Sequence, residues 1–141
     1  MRNFFSSVNI SASPAKVWQV LADVERWPEW TASVHRMERL DPSPLDIGSR
    51  VRIEQPKLPS AIWIVTDWQP EKMFSWVLRR PGTVAIGDHI IEPTAEGCRV
   101  TFNVRFEGPF AAVAGLFAGN LTDRYLAMES AGLKLRSEMV R

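Results

Sequence analysis

The spacing of apolar residues in this chain changes once, at Gly108–Pro109, and that change restricts the folds open to it. Before it, short runs rich in Val, Ile, Phe, Trp and Thr cover residues 33–41, 48–55, 61–68, 72–79, 83–92 and 97–106, with Pro, Gly and Asp clusters between them. Such punctuation predicts consecutive strands joined by turns. The clearest run alternates Val100, Phe102, Val104 and Phe106 with Arg99, Thr101, Asn103 and Arg105. A strand with one buried and one wet face needs that alternation, because successive side chains point to opposite faces. Phe74, Trp76 and Leu78 form a second apolar stripe, and Val51 with Ile53, between Arg50, Arg52 and Glu54, a third. With residues 3–10 the pattern predicts about seven strands in an antiparallel meander. After Pro109 the apolar positions fall at helical spacing. Phe110, Ala114, Phe117, Leu121, Tyr125, Met128, Gly132, Leu135 and Met139 trace one stripe, which predicts a helix over 109–138, ~45 Å long, laid across the sheet. The class is α+β.

Between the first strand and the meander stands SPAKVWQVLADVERWPEW, residues 13–30. Ser13 suits a helix N-cap, and Pro14 suits the first helical position because it lacks an N–H that would be unpaired there anyway. Val17, Val20, Leu21 and Val24 then share one face. Lys16 stands where a capping box would have Glu or Gln, so the cap is incomplete. Asp23 or Glu25 opens a second short helix, placing Trp27 and Trp30 on one face across Pro28. In the final helix, Arg124, Glu129, Lys134, Arg136 and Glu138 are assigned to the outer face, whereas residues 110–119, FAAVAGLFAG, are apolar on every side. Gly115 and Gly119 each weaken helix propensity there by ~1 kcal/mol relative to Ala. This segment is either a buried first half or a mobile apolar stretch that gates a pocket or contacts a second copy, as in a homodimer.

The chain of 141 residues is expected to be one domain, 1–141, burying roughly two-thirds of the surface its unfolded form exposes. Lys and Arg number 17 against 16 Asp and Glu, with no block of like charge. That argues against nucleic acid or an anionic membrane as partner and favours neutral or apolar ones. Cys98 is the single cysteine, which excludes an intrachain disulfide and a cysteine zinc cluster and suits a reducing compartment. MRNFFSSVNI alternates too soon to be a signal peptide, and no run approaches the ~18 apolar residues of a membrane span. The expectation is a cytoplasmic protein without integral membrane contact. No internal repeat, low-complexity tract or linker is visible.

The order of elements, a strand, two short helices containing VWQVLADVERWPEW, a six-strand meander and a long helix ending GLKLRSE, resembles the START-related (SRPBCC) superfamily with the helix-grip fold. So do the local words: VW at 17 and 18, Trp27 with Trp30, IEP at 91–93 followed by GCRVTF at 97–102, and LK at 133 and 134. The resemblance covers about residues 3–138, and many small bacterial members are labelled polyketide cyclase/dehydrase. It implies a curved antiparallel sheet wrapped around the C-terminal helix. It also implies an internal cavity between them, with its mouth near the short helices and the strand-connecting loops. Members bind lipids, hormones, quinones or polyketides, and some catalyse aldol cyclisation and aromatisation. Fold alone does not choose among these.

The resemblance puts His89 on an inward strand face, in line with Ala85 and Gly87, whose small side chains would leave room for a ligand. A neutral imidazole there could act as base or hydrogen-bond partner, or be an ordinary core group. Tyr125, the only tyrosine, lies on the helical stripe, where its hydroxyl could polarise a ligand carbonyl or reach the helix edge from the core. His35 is expected to be exposed. Two histidines on different strands without carboxylates at ligand spacing make a metal site improbable, and no cofactor is implied. Of six tryptophans, Trp18 and Trp68 are assigned to the core, and Trp27, Trp30, Trp63 and Trp76 to the cavity lining. Phe102, Phe117, Leu121 and Met128 join them. Aromatic walls with few polar groups suit a flat or hydrophobic ligand. Arg50, Arg52, Arg99 and Arg105 form the wet face, Arg124 lies at the surface, Asp67 and Asp88 are not a catalytic pair, and Cys98 is inert. The expected function is binding or carriage of a small hydrophobic ligand, aromatic, polyketide-like, lipid or isoprenoid. The alternatives are a cyclase/dehydratase using His89 and Tyr125, and a protein-interaction module using residues 110–119.

Overall fold

Ser13 caps the first helix: its hydroxyl accepts the Lys16 amide at 3.2 Å, and Pro14 occupies the first turn. The structure is a computed structural model and describes residues 2–139. Strand β1 (Arg2–Ile10) leads into α1 (Pro14–Ala22) and then a 3-10 helix, Val24–Glu29. Val17, Leu21, Val24 and Trp27 are buried as one row, and the Trp27 indole donates to the Leu21 carbonyl at 2.8 Å, locking the joint between the two helices. Pro28 is accommodated because the 3-10 segment is only six residues long.

Six strands follow: β2 (Arg36–Arg39), β3 (Arg50–Glu54), β4 (Ala61–Gln69), β5 (Met73–Arg80), β6 (Thr83–Thr94) and β7 (Gly97–Glu107). They form a curved antiparallel sheet in the order β1-β7-β6-β5-β4-β3-β2, so the meander ends with β7 beside β1. A register shift between Val65 and Asp67 bends β4, as an inserted residue does. The inward positions align across the strands: Phe74 pairs with His89 and His89 with Phe102, while Trp76 pairs with Gly87 and Gly87 with Val104.

The final helix, α2 (Ala111–Ser137), lies over β1 and β7. Two glycines allow the approach. Gly82 holds φ +77° in the β5–β6 turn, and a Cβ there would strike the Phe110 ring; its carbonyl accepts the Phe110 amide at 2.9 Å. A Cβ at Gly132 would overlap the Trp30 carbonyl oxygen. The C-terminal half is tied down by polar bonds: Ser130 to Ser6 at 2.9 Å, Lys134 to the Asn9 carbonyl at 2.9 Å and Arg136 to Glu29 at 2.7 Å.

The helix is where the sequence expected, but it turns a different face inward. The buried positions are Ala111, Gly115, Gly119, Tyr125, Leu126, Glu129, Ser130, Leu133 and Ser137. Of the expected stripe, Phe110, Leu135 and Met139 are exposed, and Phe117 is 83% exposed. Glu129, assigned to the outer face, is only 6% exposed. The stripe follows bulky residues such as Phe117, Leu121 and Met128, whereas over the first half of α2 the inner positions hold small side chains, Ala111, Gly115 and Gly119, with Ala114, Ala118 and Thr122 along the cavity.

Candidate functional site

Between the concave face of the sheet and α2 lies a cavity of about 530 Å³. Its sheet wall is built by Ile53, Trp63, Trp76, Ala85, His89, Phe102, Val104 and Phe106, and its helix wall by Ala114, Ala118, Thr122, Tyr125, Leu126 and Glu129. The exposed residues of the lining mark the mouth. They are Leu58 and Pro59 from the β3–β4 loop, Arg80 at the end of β5, Pro81 from the β5–β6 turn, and Phe117 from α2. The mouth therefore lies among strand-connecting loops, away from the short helices, which contribute the buried Trp27 to the closed end.

At the closed end the rings interlock. His89 stacks on Phe74 at 4.1 Å and meets the edges of Trp76, Phe102 and Trp27 at 5.2, 5.5 and 5.7 Å. Its Nδ1 lies 3.1 Å from the Phe74 carbonyl, which can only accept, so Nδ1 carries the hydrogen and Nε2 is left as an acceptor. Burial lowers its pKa to about 4, against the opposing pull of the Phe74 carbonyl and the Asp88 charge, and the ring is neutral near pH 7. Space above Gly87, expected to be open for a ligand, is taken by the Trp76 indole, which a Cβ would meet at 3.0 Å.

Glu129 is the second buried titratable group on the cavity wall. One oxygen, Oε2, accepts from the Ser33 hydroxyl at 2.8 Å, and Ser33 is bonded to Thr31 at 2.9 Å. Burial pushes its pKa up to about 7, with the Ser33 bond pulling the other way. Tyr125 donates its hydroxyl hydrogen to the Pro56 carbonyl, clasping α2 to the β3–β4 loop. Burial raises its pKa, with Arg124 acting in the opposite sense. With its hydrogen engaged, Tyr125 offers a ligand lone pairs only.

Of the residues the sequence nominated, Trp27, Trp63, Trp76, His89, Phe102, Phe117 and Tyr125 line the cavity. Trp30, Leu121 and Met128 do not. Trp30 leaves helical geometry at φ −127° and turns into a separate cleft with Gln19, Val20, Asp23, Arg26 and Arg136. Leu121 and Met128 are each one residue, about 100° of helix, away from the lining positions Thr122 and Glu129. Trp18 and Trp68 pack on each other at 4.9 Å, half-buried against the core, His35 is exposed, and burial raises the Cys98 thiol pKa. Glu129 escaped sequence reasoning, although Leu126 and Leu133, three residues before and four after it, mark its face as buried. Among the described residues no group of three or more His, Cys, Asp or Glu side chains could hold a metal ion. No described helix is long and apolar enough to cross a membrane.

A family model described as "Polyketide cyclase / dehydrase and lipid transport" matches residues 1–138. The chain belongs to that family. Its architecture is shared with the Zhui aromatase/cyclase of a Streptomyces species, at a TM-score of 0.77 and 16% identity, over 97% of this chain and 93% of that one. The hypothetical protein jhp0584 of Helicobacter pylori superposes at a TM-score of 0.82 with 14% identity, over 97% and 88% of the two chains. BexL, a di-domain aromatase/cyclase of the BE-7585A biosynthetic pathway, matches at a TM-score of 0.75 and 15% identity; 99% of this chain covers 48% of that protein. In sequence, the uncharacterised protein Rv2574 of Mycobacterium tuberculosis is 23% identical over 112 residues, covering 75% of this chain and 67% of the relative. The fold is thus the helix-grip, hydrophobic-ligand-binding fold of the polyketide cyclase/dehydrase and lipid-transport family.

Proposed function

We propose that this protein binds and carries a small, flat, hydrophobic molecule in the cavity between sheet and helix. One observation carries the reading: about 530 Å³ of space is walled mostly by aromatic and aliphatic side chains, with His89, Tyr125 and Glu129 the buried titratable groups among its described lining residues. A cavity of that size and lining suits a compact apolar ligand, oriented by few polar contacts. Trp63, Trp76 and Phe102 supply flat surface, His89 Nε2 an acceptor, and Leu58 and Phe117 flank the entrance. The test is native mass spectrometry of protein purified from its own host, paired with calorimetric titration of polycyclic aromatic and isoprenoid probes. A retained small molecule, or saturable binding that Trp76→Ala abolishes, is the expected result. A protein that emerges empty and binds none of the probes would remove the reading.

A second reading, a cyclase/dehydratase-type enzyme, draws on His89: Nδ1 is bonded to Phe74, and Nε2, which has no hydrogen-bond partner among the described residues, could take a proton from a carbon beside a carbonyl. Tyr125 does not supply the matching acid, since its hydrogen is held by Pro56. Turnover of a polyketide-like substrate that falls ~100-fold or more in His89→Ala at unchanged affinity would establish this reading over carriage.

A further inference from the structure

We propose that Glu129 is the specificity-determining residue of the cavity: as a neutral carboxylic acid it donates a hydrogen bond to a carbonyl at the buried end of an otherwise apolar ligand, and it disfavours ligands that would bring a carboxylate there. The proposal rests on the ligand-binding reading and narrows it to neutral, carbonyl-bearing molecules.

The two oxygens of Glu129 have different surroundings. Oε2 is held by Ser33, which Thr31 holds in turn. Oε1 has no hydrogen-bond partner among the described residues. It is also not among the sealed side-chain atoms that lack a hydrogen bond, which among the described residues are Trp30 Nε1, Arg105 Nε and Ser137 Oγ. Glu129 lines the cavity and is 94% buried by its 6% exposure, so Oε1 borders the cavity space. No ion pair to Glu129 occurs among the described residues, and a lone carboxylate in an apolar enclosure is strongly disfavoured. The raised pKa, about 7, agrees with that geometry. With Oε2 accepting from Ser33, the proton belongs on Oε1, leaving an O–H donor that faces a space lined by apolar groups. An unmet donor of this kind is costly, and a ligand carbonyl would satisfy it.

The remaining titratable or charged groups on the lining do not offer an alternative anchor for an anion at that end. His89 on β6 is neutral. Asp88, also on β6, directs its carboxylate to Ser75 and Asn103, with Arg105 at 3.8 Å. Tyr125 is bonded to Pro56, and Arg80 stands at the mouth.

Three probes that share one ring system test the proposal: 2-acetylnaphthalene, 2-ethylnaphthalene and 2-naphthoate, titrated calorimetrically at pH 6 and pH 8.5. At pH 6 the acetyl compound should bind about two- to tenfold more tightly than the ethyl compound, the worth of one hydrogen bond, with naphthoate weakest. At pH 8.5 the acetyl preference should shrink. Glu129→Gln, whose amide still donates, should keep the preference at both pH values, and Glu129→Leu should erase it. Equal binding of acetyl and ethyl probes to the unaltered protein at pH 6, or an acetyl preference that survives Glu129→Leu, would overturn the proposal while leaving ligand binding intact. If Glu129→Leu does not fold, a Gln variant whose preference still declines with pH would overturn it equally. Should none of the three bind, the ligand-binding reading falls with it.

Discussion

The two walls of the cavity are built on opposite principles. On the sheet side, bulky rings interlock before any ligand arrives: Phe74 is fully buried and meets Trp18, Trp68, Trp76 and His89 at centroid distances between 4.1 and 6.1 Å. On the first half of the helix side, Ala114, Ala118 and Thr122 face the space, Leu116 is 76% exposed, and Phe117, 83% exposed, stands at the rim. One wall is core that a cavity adjoins; the other is kept small from Ala114 to Thr122, and only beyond it do Tyr125, Leu126 and Glu129 bring bulk to the lining. The largest expected effect tests that contrast. Phe74→Ala should cost ~3–5 kcal/mol, the usual loss for a buried aromatic, read as a lower urea midpoint with little change in slope. A cost under about 1 kcal/mol would mean that the sheet wall is as loosely packed as the helix wall.

His89 on the sheet wall and Glu129 on the helix wall are both buried and titratable, and burial moves the two in opposite directions. His89 on the sheet is lowered from its ordinary 6.5 to about 4. The unfolded chain therefore binds a proton in that window that the native protein refuses, and stability rises with pH across it. Glu129 on the helix is raised from 4.5 to about 7. Native protein here keeps a proton that the unfolded chain has lost, so stability falls with rising pH until about 7. Between pH 4.5 and 6.5 the two slopes oppose, and the contribution of the pair should be nearly flat. Substitution separates them. Glu129→Gln should gain stability as pH rises from 4 to 6.5, and His89→Phe should lose stability from 4.5 to 7. Each change should be on the order of 1–3 kcal/mol, given ~1.4 kcal/mol per unit of pKa difference. Urea midpoints across that range provide the measurement, and parallel pH profiles for both variants and the unaltered protein would refute the opposition.

The same asymmetry explains how much was legible in the sequence. Strand alternation reports burial directly, so Val100, Phe102, Trp76 and His89 were placed inward by pattern and resemblance, and the seven strands with their turns followed. The helix wall was not legible in the same way, because the rule of drawing a stripe through large apolar residues assumes that the inner face packs against protein. Where the first half of α2 faces the cavity, bulk is withheld: Ala114, Ala118 and Thr122 line the space, and Phe117 stands at its rim. The burial of Glu129 is hidden in the sequence for a related reason. A charged residue is ordinarily read as outer face, and the bond from Ser33, 96 positions earlier in the chain, has no trace in local spacing. Trp30 was lost to a single dihedral at the end of the 3-10 helix, which no side-chain pattern encodes.

A smaller effect is expected where the two walls meet. Tyr125→Phe removes the bond that clasps α2 to the Pro56 carbonyl and keeps the ring. The loss should be ~1 kcal/mol, typical of one hydrogen bond, or somewhat more because the Pro56 carbonyl loses its partner. Hydrogen exchange should quicken in the β3–β4 loop. Protection unchanged there would show that the loop is held by its own turn and owes nothing to the helix.

The smallest change in stability should come from Phe117→Ser. Phe117 is 83% exposed, so folding removes little of its surface from water and its truncation should stay within about 0.5 kcal/mol. Yet Phe117 lines the mouth together with Leu58 and Pro59 of the loop that Tyr125 clasps. If the ring guards the entrance, its removal should speed both association and dissociation of an aromatic ligand, leaving the dissociation constant less changed than either rate. Stopped-flow quenching of tryptophan emission separates these quantities. Rates that stay fixed while the folded protein is equally stable would show that ligands enter elsewhere, and the contrast between a packed sheet wall and a permissive helix wall would then lose its functional meaning.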